Sequence, residues 1–166
     1  MKTLIRSLIL LALATWVGAE LFFPVMAGVT FTTLMPDTHT AGMIVGICLR
    51  ILHYVGLGCG LMALLLFAVS PNLRVWSADR TTTPMLVLII MMSLTVLSQW
   101  GITPRMEHDR MEAGGSFSLI APDAPIRLHF NRLHQISTWV EGGILFGGIL
   151  MIFLIARIET RTQSES

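Results

Sequence analysis

The sequence predicts an all-α protein, an integral membrane four-helix bundle with antiparallel up-and-down topology, and two observations carry that expectation. Of 166 residues, 54% are hydrophobic and only 13% charged, with a mean hydropathy of +0.73, too apolar for a soluble domain of this size. The apolar residues also fall into four stretches, each long enough at ~1.5 Å per residue to cross a ~30 Å hydrocarbon layer, separated by polar, turn-rich connections. Helices are expected at about 4–31, 41–69, 84–103 and 127–158 of a single domain covering 1–166.

The chain opens on Met1-Lys2-Thr3-Leu4-Ile5-Arg6 and stays apolar through Phe31. A basic start before Leu8 to Ala14 imitates a secretory signal peptide, but Val17 to Val29 carries the run past the length of a signal core, which favours an uncleaved first span. Helical spacing puts Leu13, Trp16, Glu20, Phe23 and Ala27 on one face, with Glu20 its only acid. The short connection Thr32 to Thr40, with Pro36 and Asp37, makes the second helix an antiparallel neighbour. On that helix Gly46, Arg50, His53, Leu57 and Gly60 form the inward row, unless Arg50 snorkels to the headgroups.

Ser70-Pro71-Asn72 ends the second helix, and a polar loop runs to Thr83. The third helix starts near Pro84, gathers Ser93, Thr95, Ser98 and Gln99 near its far end, and is closed by Thr103-Pro104-Arg105. Beyond it lies the longest connection, Met106 to Ile126, with Gly114-Gly115 and Ala121-Pro122-Asp123-Ala124-Pro125. The fourth helix begins through Phe130-Asn131-Arg132-Leu133-His134-Gln135-Ile136-Ser137 and places His134, Ser137, Glu141 and Gly148 on one side. The tail Thr160 to Ser166 is expected to be loose.

Lys2, Arg6, Arg74, Arg80, Arg157 and Arg161 flank one side of the four spans and Arg105, Arg110, Arg127 and Arg132 the other. The positive-inside rule then puts both termini in the cytoplasm, in the inner (plasma) membrane of a bacterial cell. Measured from the external end, Glu20 lies about 16 Å deep, Arg50 about 13 Å, His53 about 18 Å, His134 about 10 Å and Glu141 about 21 Å. Ser98 and Gln99 are expected above them, near the external surface.

Charges and imidazoles in hydrocarbon need partners, so these groups are expected to neutralise one another. The most natural pair is Glu20 with Arg50, completed by His53, His134 and Glu141. A network of this kind can do no more than fix helix register. Against that reading, two carboxylates beside one guanidinium leave one acid less well paired and free to exchange a proton.

Trp16-Val17-Gly18-Ala19-Glu20-Leu21-Phe22-Phe23, Leu34-Met35-Pro36, Ala41-Gly42, Pro104-Arg105, and Phe130 with His134 and Ser137 resemble the transmembrane protein 205 family over nearly the whole chain. That family comprises small four-helix membrane proteins, widespread in bacteria and classed as a domain of unknown function. The resemblance implies that Pro104, Arg105, His134 and Ser137 occupy family motif positions. Ser98 and Glu141 stand where the family pattern usually has asparagine, and a carboxyl in place of an amide changes the charge at the centre of the site.

Three function classes remain open. The polar cluster Glu20, Arg50, His53, Gln99, Arg105, His134, Ser137 and Glu141 could bind or pass an ion, proton or small solute. His53 and His134 could hold a b-type haem, although the charges in the same layer crowd it. The chain could also serve as an accessory or assembly subunit of a larger membrane complex or as a homo-oligomer. No catalytic motif is present, so an enzyme is not expected. A metal held by His108, Asp109, Glu112 and His129 fits no standard spacing, and a solvated loop is favoured there. Cys48 and Cys59, about 16 Å apart along one helix, cannot bridge. A net charge of +1 without a basic run gives no footprint for nucleic acid.

Overall fold

Five α-helices make four membrane-length rods in the structure, a computed structural model that describes residues 1–117 and 119–164 and side chains through Thr160. They are α1 (Lys2–Thr33), α2 (Thr38–Val69), α3 (Ala78–Val96), α4 (Thr103–Glu112) and α5 (Pro125–Ser164). A π-helical turn, Leu97–Ile102, joins α3 to α4, so Ala78–Glu112 is one rod. All four rods are long and apolar enough to cross a membrane. Their outward faces carry large apolar side chains such as Phe22, Phe146 and Phe153, which lipid accommodates and water does not.

The third rod departs from its expected bounds at both ends. It begins at Ala78, inside the expected polar loop, with Pro84 tolerated near its start. At the other end Pro104 does not close the helix. A proline inside an α-helix removes one hydrogen bond and presses its ring on the carbonyl four residues back. Here the wider turn before it absorbs the insult: the Thr103 N–H bonds the Ser98 carbonyl, five residues back, and the helix restarts with Pro104 in its first turn. The stretch Met106 to Glu112 is therefore helical and not loop. Likewise α5 continues through Thr160 to Ser164, where the sequence predicts a loose tail, and Glu165 and Ser166 lie outside the described residues.

The bundle has two unlike ends. Toward the end that carries both termini the core is apolar and tight, built on Ile5, Ile9, Trp16, Phe67, Leu88, Met91, Ile144 and Met151. Glycines set the spacing there. A Cβ at Gly56 or Gly60 would stand 2.5 or 2.8 Å from the Trp16 ring, one at Gly147 2.6 Å from Met91, and one at Gly148 2.6 Å from Val17. Only glycine lets these helices come so close. Arg6 locks the same end by pairing with Glu159 of α5 at 2.9 Å, reaching the Val75 carbonyl and lying over the Trp76 ring. Toward the far end the rods part around a cavity.

Candidate functional site

The cavity measures about 690 Å³ and lies among the second half of α1, the first half of α2, α4 and the first half of α5. Its walls are mainly apolar, with Phe23, Ala27, Val45, Leu49 and Leu145 among them; Glu20, Ser137, His134 and Glu141 bring polar groups to the same space, and His39 and Arg110, the latter lying over the Phe130 ring, line it toward the far end. Glu20 is buried and accepts a hydrogen bond from the Trp16 indole N–H at 3.1 Å, one turn back on its own helix. Pro24 has no N–H to bond the Glu20 backbone carbonyl, which adds an acceptor at this level.

Glu141 links the cavity to a polar group behind it. Its Oε1 accepts from the Ser98 hydroxyl at 2.7 Å and meets His53 Nε2 at 2.9 Å, while Oε2 is buried with no hydrogen-bond partner. His53 is 1% exposed, and its Nδ1 lies 2.8 Å from the Gln99 side-chain oxygen. Both contacts ask the ring to donate, as an imidazolium does. Rotating the Gln99 amide would instead offer an N–H to a neutral ring, so this arrangement serves both charge states.

Ser98 and Gln99 reach this depth because the third rod runs on to Glu112, which leaves Gln99 about 20 Å below its far end and not near the surface. Glu20, His53 and Glu141 lie about 20 to 24 Å below the far ends of their own helices, so the polar layer is close to mid-span.

Other expected members are elsewhere. The pair Glu20 with Arg50 does not form. Arg50 turns to α4 and pairs with Glu107, both about half exposed. Glu107 escapes notice in the sequence because the segment that presents it reads as loop. Arg105 is exposed and apart from the cavity. His134 is an exposed wall residue stacked on Phe130, with ring centroids 6.3 Å apart, while Ser137 is buried. A haem held between His53 and His134 does not fit this geometry, since both His53 ring nitrogens are already engaged by Gln99 and Glu141. On α4, His108 faces Glu112 at 3.8 Å and Asp109 meets His129 at 2.7 Å. Among the described residues no group of three or more His, Cys, Asp or Glu is placed to hold a metal ion.

Four spans and a polar layer at mid-depth define a polytopic helical membrane protein. Residues 11–114 match the domain of unknown function DUF4149, and the chain belongs to that family. The matched stretch covers most of α1 and all of α2 to α4, and Glu141, His134 and Ser137 on α5 lie beyond it. No curated protein and no solved structure matches the chain.

Proposed function

We propose that this is a solute-binding membrane protein in which Glu20 and Glu141 receive a small cation or protonated group at the cavity floor, while His53 and Gln99 adjust the charge behind it. The observation that carries this reading is the unpartnered Glu141 Oε2, on a carboxylate whose other oxygen joins the cavity to His53. A network that served helix register alone would gain by satisfying that oxygen or replacing it with an apolar group. The setting proposed with it is a transmembrane protein 205-like protein of the inner (plasma) membrane, both termini cytoplasmic, so that the cavity belongs to the external half.

The test is infrared difference spectroscopy of the full chain in lipid nanodiscs, with millimolar methylammonium as the probe. Carboxylate bands should shift in the wild type and lose that shift in the double variant Glu20→Gln, Glu141→Gln. Spectra that methylammonium leaves unchanged would overturn the reading.

A second reading, an accessory subunit or homo-oligomer, draws on Arg50 and Glu107. They form a half-exposed ion pair on the outside of α2 and α4, a costly feature against lipid that a protein neighbour could cover. Co-purification in mild detergent tests it: a larger complex lost on Arg50→Met supports this reading, and an isolated bundle removes it.

A further inference from the structure

Three glycines on three helices, Gly28, Gly46 and Gly142, line the cavity, and each has open space where a Cβ would stand. Glycine in a membrane helix ordinarily serves close backbone approach. Here nothing approaches, and the effect of the missing side chains is room. The cavity also has a side opening. Pro24 and Gly28 on α1 and Thr138 and Gly142 on α5 border it from facing helices and are all exposed. The close contacts between α1 and α5, Arg6 with Glu159 and Gly148 against Val17, lie toward the other end of the bundle. The gap therefore faces the bilayer. From Glu20 to Phe31 the wall on α1 rises about 16 Å, the reach of a medium-length alkyl chain.

Two carboxylates at the floor, mainly apolar walls, an Arg110 guanidinium held over the Phe130 ring away from that floor, and a side opening toward lipid together favour one kind of guest. We infer that the ligand is an amphipathic amine that slips in between α1 and α5, sets its ammonium head between Glu20 and Glu141, and lays its hydrocarbon tail along Phe23, Ala27 and Leu145. This rests on the cation-binding reading above and adds the tail and the route. An amine brings both halves of the match: its charge answers the two carboxylates, and its chain fills space that water would occupy at a cost against apolar walls.

The experiment titrates a series of straight-chain primary amines, methylamine to octylamine, into the full chain in nanodiscs, with empty nanodiscs subtracted and the carboxylate bands as readout. Affinity should rise roughly threefold to fourfold per added methylene, the factor expected for burying a CH2 group. Octanol should leave the carboxylate bands unmoved. Gly142→Phe, and independently Gly46→Leu, should weaken octylamine at least tenfold, with the melting temperature of each variant confirming its fold. Affinity independent of chain length, or octylamine binding indifferent to both substitutions, would overturn the inference. Methylammonium shifts without a chain-length trend remove the amphipathic guest and leave the cation site standing. No shift with methylammonium removes the cation site itself.

Discussion

The same residue type does opposite work at the two ends of this bundle. Gly56, Gly60, Gly147 and Gly148 stand where any side chain would collide with Trp16, Met91 or Val17. Gly28, Gly46 and Gly142 stand where a side chain would meet nothing. In the first group the absent Cβ draws helices together, and dispersion contacts between close-packed surfaces hold the bundle where the lipid supplies no hydrophobic drive. In the second group the absent Cβ holds space open beside two acids. The closest helix contacts are concentrated at the closed end, and the open end keeps its space.

The closed end is most vulnerable at Phe67, which is fully buried and stacked on Trp76 with centroids 5.6 Å apart. Phe67→Ala should cost about 3–5 kcal/mol, measured by reversible unfolding in mixed micelles. Gly56→Ala comes next. Its methyl would lie 2.5 Å from the Trp16 indole nitrogen, and about 1–3 kcal/mol of overpacking is expected in the same assay. At the open end the sign reverses. Gly46→Ala adds a methyl to empty space and removes a flexible helical glycine, so it should be neutral or stabilising by up to about 1 kcal/mol. A loss as large as that of Gly56→Ala would erase the distinction between the two glycine groups.

Arg6→Ala breaks a partly exposed pair with Glu159, and screening limits its effect to about 1 kcal/mol or less, reduced further by salt. The smallest effect belongs to Asp37, which caps α2 at the far end by accepting the Thr40 N–H at 3.0 Å. The bonds from Thr40, its largest cause, hold the Asp37 carboxyl below its ordinary value of 3.8. A depressed folded value means that the contribution is complete above 3.8 and disappears as pH falls from there through the folded value. Acid titration of the melting temperature should show a small step in that window which Asp37→Asn removes.

Much of the closed end can be read from spacing alone. Leu13, Trp16 and Glu20 share a helical face in the sequence and are buried together in the bundle, since a period of 3.6 translates directly into direction. Gly60 on the second helix is legible for the same reason. The partnering of charges is not. Depth has to be counted from helix ends, and Pro104 reads as such an end. A proline ends a regular α-helix, but a π turn before it lets the rod continue, and no composition signal in Leu97–Ile102 marks that turn. One misplaced end sets Gln99 too shallow, removes Glu107 from the candidates and leaves Arg50 to be assigned to Glu20. The cavity is illegible for a different reason: the glycines that make it look identical, in sequence, to those that close the other end.

The π turn also makes this rod unequally tolerant of length changes. A single-residue deletion in a plain helix turns the downstream segment by roughly 100° and draws it in by about 1.5 Å. The π turn holds a surplus residue, so a deletion between Leu97 and Ile102 would instead restore a regular helix and leave α4 close to its present bearing. The residues within the turn would close ranks. Ser98 and Gln99 could then no longer sit side by side against Glu141 and His53 with Glu107 still facing Arg50. In this rod the surplus residue acts as a clutch, letting the inner segment be aimed at the polar layer independently of the outer segment that is aimed at α2.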